Sequence, residues 1–303
     1  MITFAQLSET GGRKVNEDSV GFVDVGPEIR MFALADGLGG HGRGEDASSL
    51  IVREAEETFL LNYQKENCLH LCFEEGQRAL LQKQEEENAK EDLKSTMVLL
   101  TICNAKIQWG HVGDSRLYYF EDRHLVKRTM DHSVPQMLVN AGELKEREIR
   151  HHPDRNRLLR VMGMEWEVPQ YQISPPLFMH TGEESRQFLL CSDGFWEYIT
   201  EIQMESCLQK AETVQDWLKK MEKIVLVSGK GANMDNFSAI AVWMFEDDER
   251  GEKKWAELFN ATVGTTTMPK NLRPVRTVWR GRKNLIGSRR RSSGKVWMPS
   301  QQP

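Results

Sequence analysis

Five short apolar runs in this 303-residue chain stop at, or start from, an acidic residue with glycine or asparagine beside it. Asp36 ends the run Met31 to Ala35 and is followed by "GLGGHG". Asp114 follows "HVG", and Asp193 follows "FLLCS" and precedes Gly194. Asp235 precedes Asn236 and "FSAIAVWMF", while Glu17 and Asp18 stand just before a run that starts at Val20. An Asp-Gly pair alone is an ordinary turn. Five such pairs at run ends require a sheet whose tight turns deliver acid to a shared edge.

The remaining pattern says how that sheet is covered. Apolar runs bounded by turn residues predict strands at Val20 to Val25, Arg30 to Ala35, Met97 to Cys103, Lys106 to Gly113, Arg116 to Phe120, Gln187 to Cys191 and Phe237 to Phe245. Helical spacing predicts helices at Ala47 to Tyr63, Leu69 to Asn88 and Gln215 to Ser228. Two long helices followed by three tightly joined strands exclude strict βαβ alternation. They predict an α+β fold of antiparallel sheet with helices outside.

Composition bounds the setting. At 39% hydrophobic residues the chain can build a core, and no run approaches the roughly 18 apolar residues of a membrane span. With no leader-like segment at Met1 to Gly12, a cytoplasmic location is expected. Five scattered cysteines argue against a disulfide framework. Cys191 is read as strand packing, since "CSDGFWE" has no phosphate-cradling arginine. Charge is uneven: Thr262 to Pro303 carries ten basic residues and no acid, so with a whole-chain charge of −5 the preceding residues carry −15. The stretch 246–303 is expected to be a disordered basic tail, a hook for an acidic partner, nucleic acid or an anionic surface.

Carboxylates collected at one edge repel one another and lose hydration, and a divalent cation offsets both. An all-oxygen donor set suits Mg2+ or Mn2+ better than zinc.

"RKVNEDS" (Arg13 to Ser19), "ADGLGGHGRGEDAS" (Ala35 to Ser48), "STMVLL" (Ser95 to Leu100), "GHVGDSRLYYF" (Gly110 to Phe120), "DHS" (Asp131 to Ser133), "RNRLLRVMG" (Arg155 to Gly163), "LLCSDGFWEYI" (Leu189 to Ile199) and "DNFSAIAVW" (Asp235 to Trp243) follow one another in order. Together they resemble the metal-dependent protein phosphatases of type 2C in their compact bacterial form. The resemblance covers nearly all of residues 1–245. It implies a β-sandwich of two antiparallel sheets flanked by helix pairs. The implied activity is hydrolysis of phosphoserine and phosphothreonine in proteins by a metal-bridging water, opposing a bacterial Ser/Thr kinase.

Residue by residue, the resemblance makes Asp36 the carboxylate that bridges two Mn2+ or Mg2+ ions, with the Gly37 carbonyl on the second. Asp193 and Asp235 complete the first ion. Glu17 and Asp18 match the pair that holds metal-bound waters, and Asp114 with Asp193 matches a third metal position. Arg13 takes the place of the arginine that grips phosphate, a role its forked donors suit. His41 is either a general acid or a loop residue that orders the turn. His111 is expected to be a satisfied sheet residue and His132 a turn or helix cap. Lys94 and Ser238 depart from the residues usual at those places.

Residues 133–168, charged and poor in strands, match the flap beside the active site in this family, and Asn156 and Arg160 are expected to fix its fold. Three other functions fit the sequence: a phosphoprotein-binding pseudophosphatase, a phosphatase of anti-sigma-factor antagonists, and nucleic-acid binding through the basic tail.

Overall fold

The computed structural model describes residues 1–38, 43–90, 92–178 and 185–245. In chain order the elements are β1 (Ile2–Glu9), β2 (Asp18–Gly26), β3 (Ile29–Leu38), α1 (Gly44–Asn62), α2 (Cys68–Glu87), β4 (Lys94–Ser95), β5 (Met97–Cys103), β6 (Lys106–Val112), β7 (Arg116–Glu121) and β8 (His124–Arg128). They continue with α3 (Val134–Asn140), a 3₁₀ turn (Glu146–His151), β9 (Gln172–Ile173), β10 (Leu177–Phe178), β11 (Arg186–Cys191), α4 (Asp193–Trp196), α5 (Glu201–Gln209), α6 (Val214–Ser228) and β12 (Phe237–Met244). The basic tail lies outside the described residues, as does His41.

Two sheets form, with every strand pair antiparallel. One runs β1-β12-β11-β7-β8 and the other β10-β6-β5-β3-β2, with β4 added to β3 and β9 to β6. The alternation of side chains along a strand explains the layers. In β3, Phe32 and Leu34 face the space between the sheets, whereas Met31, Ala33 and Ala35 face α1 and α2. In β12, Ile240 and Val242 join the same inter-sheet core, while Ala239, Ala241 and Trp243 pack toward α5 and α6. Strands buried on both faces read as unbroken apolar runs, and that is why the sequence announces them so clearly.

The helices start where local chemistry dictates. Thr200 and Thr213 cap α5 and α6 by accepting from Gln203 N and Asp216 N at 3.3 and 3.1 Å. Ala47, Leu50, Ile51, Ala55 and Phe59 form the buried stripe of α1 at helical spacing. The predicted layers of sheet and helix pairs are therefore present. Five strands escaped the sequence reading: the two-residue β4, β9 and β10, and the longer β1 and β8. β1 pairs with β12 across the whole chain, Ile2 opposite Met244 and Glu9 opposite Phe237, and β8 is an exposed edge strand.

Residues 133–168 contain α3 and the 3₁₀ turn. The segment is closed on itself by Val134 N donating to Arg157 O at 2.9 Å and tied to the residue before it by Leu159 N donating to His132 O at 2.7 Å.

Candidate metal and phosphate site

The β2–β3 pair places Asp18 directly opposite Asp36 in register. Past Asp36 the backbone runs so close to the start of α1 that a Cβ on Gly37 would sit 2.1 Å from Gly44 O. Only glycine fits there. Gly37 N donates to Glu17 O at 3.0 Å, Gly44 N donates to Glu17 Oε1 at 3.2 Å, and Ser48 Oγ donates to Glu17 O at 2.6 Å. The end of β3, the start of α1 and the Glu17 segment are thus one hydrogen-bonded unit.

Thr96 and Ser95 hold Asp36 by its backbone. Asp36 N donates to Thr96 Oγ1 at 3.0 Å, Thr96 N donates back to Asp36 O at 2.8 Å, and Ser95 Oγ also donates to that carbonyl, at 2.9 Å. Asn236 does the same for the loop before β2. Its Oδ1 accepts from Glu17 N, and its Nδ2 donates to Thr10 O and Val15 O, all at 2.9 Å.

Asp114 sits where β6 turns into β7, and its carbonyl accepts from the Trp196 indole at 3.0 Å. Trp196 in turn carries the Arg116 guanidinium 3.6 Å above its ring. Arg116 is clamped by Asp131 through bonds of 2.8 and 2.7 Å, with both side chains almost fully buried. This platform fixes the Asp114 backbone from below. Asp193 is the first residue of α4, directly after β11.

These segments enclose a cavity of about 190 Å³ lined by Arg13, Glu17, Asp36, Gly37, Leu38, Asp114, Asn156, Leu158, Asp193, Asp235 and Asn236. Eight of the nine metal and catalytic candidates named from sequence are thereby brought together, if Asp18, which abuts Asp36, is counted with the seven on the cavity wall. Arg13 Nη2 reaches Asp235 Oδ2 at 2.7 Å. Asn156, from the stretch 133–168, lines the same wall, whereas Arg160 lines another cavity with His132 and Met137.

The electrostatics are one-sided. Burial first, then Asp18, Asp193, Asp114 and Asp235, push the Asp36 carboxyl well above the usual range. Burial and Asp193 do the same to Asp114, against Arg116. Asp193 is raised by burial and Asp235. Asp18 is pushed up to about 7, chiefly by burial and against the hydrogen bond from Ser192. Ser192 Oγ donates to Asp18 Oδ2 at 2.7 Å, and Asp18 Oδ1 is buried with no hydrogen-bond partner.

Among the described residues no three His, Cys, Asp or Glu side chains form a ready-made ligand group; they surround a cavity instead. The donors nevertheless fit divalent cations. They are all oxygen, they are crowded enough to hold protons in the absence of positive charge, and one buried carboxylate oxygen is orphaned.

The other sequence expectations resolve on geometry. His111 is buried with Nε2 2.8 Å from Met130 O. His132 does not cap α3: Ser133 does, by accepting from Gln136 N, and His132 Nδ1 accepts instead from Gly113 N at 3.2 Å. Cys191 is fully buried in the core and burial pushes its thiol up, as expected of packing. Lys94 lies in β4 opposite Leu38. Ser238 shares a 2.8 Å hydrogen bond with Ser8. Ser192, Trp196 and the Arg116–Asp131 pair were missed, because nothing local to them announces partners 15 to 174 residues away.

Known proteins resemble this chain in sequence and in fold. The serine/threonine phosphatase stp of Listeria monocytogenes is 28% identical over 236 residues, 76% of this chain and 90% of that protein. The serine/threonine protein phosphatase PstP of Mycobacterium tuberculosis is 26% identical over 257 residues, 82% of this chain and 46% of that longer protein. The crystal structure of the M. tuberculosis phosphatase PstP/Ppp superposes with a TM-score of 0.69 at 27% identity, covering 81% of this chain and 99% of that one. A PstP catalytic domain in complex with two manganese ions gives 0.63 at 26% identity, covering 80% and 97%. The family profile of protein phosphatase 2C matches residues 8–237. Since that match runs from within β1 to the first residue of β12 and takes in every carboxylate of the cavity, the chain belongs to the protein phosphatase 2C family.

Proposed function

We propose that this protein is a metal-dependent serine/threonine protein phosphatase whose working site is the acidic cavity at the sheet edge. The observation that carries the reading is the convergence of Glu17, Asp36, Asp114, Asp193 and Asp235 with Arg13 on one cavity.

Asp36, Asp193 and Asp235, with the Gly37 carbonyl, would hold two Mn2+ or Mg2+ ions. Glu17 and Asp18 would bind them through water, and Asp114 with Asp193 would offer a third position. When bound, such ions supply a water acidic enough to attack phosphorus near neutral pH. Arg13 stands at the mouth, half exposed, where its planar fork orients a phosphate monoester. The Ser192 bond to Asp18 and the Asn236 bonds to the Thr10–Glu17 segment keep the carboxylates from turning away. His41, outside the described residues, remains a candidate to protonate the leaving alkoxide.

The substrates in this reading are phosphorylated serine and threonine residues of proteins, placed there by a bacterial Ser/Thr kinase. Among the described residues no helix is long and apolar enough to cross a membrane, and a cytoplasmic site of action is part of the proposal.

The test is hydrolysis of a phosphothreonine peptide with and without Mn2+, with calorimetric Mn2+ binding on the same samples. Metal-dependent turnover that collapses in Asp36→Asn and Asp193→Asn supports the reading. Tight metal binding without turnover on any phosphopeptide leaves phosphoprotein binding as the function.

A further inference from the structure

The core between the two sheets, which includes Phe32, Leu34, Leu190, Ile240 and Val242, gives way at one end to hydroxyls. Ser8 of β1 lies directly opposite Ser238 of β12. On the other side of β12, Cys191 lies opposite Ala239, and the same register sets Ser192 across from Ser238. Ser192 N donates to Ser238 O at 3.1 Å, and Ser238 N donates to Ser192 Oγ at 2.9 Å. By the two-residue period of a strand, these three serines share a face with Phe4, Ile240 and Leu190, the face turned toward the other sheet. Asp18 shares its face with Val20, which packs into the same core from that other sheet.

These groups close a ring of hydrogen bonds. Ser192 Oγ donates to Asp18 Oδ2 at 2.7 Å, and Ser238 Oγ shares a 2.8 Å bond with Ser8 Oγ. Ser8 Oγ also accepts from Asn16 Nδ2 at 2.8 Å, and Asn16 Oδ1 accepts from Asp18 N at 3.2 Å. Asp18 is therefore gripped twice, at its carboxylate through Ser192 and at its backbone through Asn16, and Ser8 with Ser238 joins the two grips. Ser192 and Ser238 are fully buried, whereas Ser8 is half-buried. Buried hydroxyls cost stability unless they are bonded, and both of these are. The ring occupies Oδ2 and leaves Oδ1 as the oxygen without a partner.

We propose that Ser8 and Ser238 are positioning residues for the metal centre. Neither lines the acidic cavity; they act through Ser192 and Asn16, which hold the Asp18 carboxylate in one orientation with Oδ1 left as the donor to a cation or its hydration water. A carboxylate fixed before the cation arrives has little rotamer freedom left to lose on binding. Partners one shell out from a metal typically change its affinity by about 10- to 100-fold. Since the ring joins β1 and β12 of one sheet to β2 of the other, seating of the N-terminal strand and occupancy of the metal site are linked in both directions. The inference rests on the reading that Asp18 serves bound cations.

The experiment titrates the intact chain with Mn2+ by calorimetry and follows hydrolysis of a phosphothreonine peptide across Mn2+ concentrations. Ser8→Ala and Ser238→Ala are each expected to weaken Mn2+ binding by about tenfold, with KM for the peptide at saturating Mn2+ held within about twofold and kcat restored there. Ser8→Thr, which keeps the hydroxyl, retains the wild-type affinity. In an Asp18→Asn background Ser8→Ala adds nothing, because the ring acts through that carboxylate. Leu7→Ala is the control: its side chain packs on the helix side of β1, so it lowers the melting temperature and leaves Mn2+ affinity unchanged. Wild-type affinity in both alanine variants, equal weakening by Leu7→Ala, or an undiminished effect of Ser8→Ala beside Asp18→Asn would each overturn the proposal, as would a wild-type chain that binds no Mn2+. Mn2+ binding without turnover on any phosphopeptide would sink the phosphatase reading alone, since the comparison of affinities needs no turnover.

Discussion

Asp18 and Asp36 face each other across the β2–β3 pair, and only one oxygen of Asp18 is satisfied, by Ser192 at 2.7 Å. Two buried carboxylates in register destabilise the sheet that carries them unless protons or cations stand between them.

The metal-free protein should therefore lose stability as pH rises. The folded state holds the Asp18 proton up to about 7, far above the ordinary value of 3.8. Between those limits the folded chain binds more protons than the unfolded one, so this contribution is present below pH 4 and is lost as pH climbs through 7. Its size is on the order of 4 kcal/mol, and Asp36 and Asp114 act in the same direction. Urea unfolding of metal-free protein at pH 5 and pH 8 is expected to show the fall, with a shallower one in Asp18→Asn. An equal slope in that variant refutes the assignment.

Arg13 makes an exposed ion pair with Asp235, and exposed pairs contribute little to stability, under about 1 kcal/mol. Arg13→Lys should keep the melting temperature while raising KM for a phosphopeptide by about tenfold, since an ammonium lacks the bidentate fork. A change confined to kcat would mean that Arg13 does not grip the phosphate.

The Arg116–Asp131 pair lies beneath Trp196, whose indole supports Asp114. Asp131→Asn leaves a buried guanidinium without its counter-charge and should cost about 3 to 5 kcal/mol in equilibrium unfolding. A loss below 1 kcal/mol would show that Glu201, 3.8 Å from Arg116, suffices.

Gly37→Ala tests the close approach of β3 and α1. A methyl there meets Gly44 O at 2.1 Å, whereas one at Gly26 meets nothing within 4 Å. The first substitution should cost about 1 to 3 kcal/mol and most of the phosphatase activity. The second should be nearly silent in both thermal melts and turnover.

How far the sequence reached can be seen element by element. Strands such as β3 and β12 were legible because burial on both faces writes an unbroken apolar run. The long helices α1 and α2 were legible from their buried stripe. β1 was not: "ITFAQLSE" is only partly buried and becomes a strand because β12, more than 200 residues away, offers its edge. β8, mostly exposed, depends likewise on its partner β7.

The same division holds at the site. The residue types were already written in order: a carboxylate at each of several strand ends, glycine where the backbone must pass closely, and an arginine ahead of the first acidic pair. Those are local features, and local chemistry dictates them. Only the tertiary structure decided that Asp18 would keep an orphaned oxygen, that Ser192 would cross 174 residues to reach it, and that a buried arginine on Trp196 would brace Asp114. Each of these joins groups far apart in the chain, and such pairings come from packing and hydrogen-bond satisfaction, which no short stretch of sequence contains.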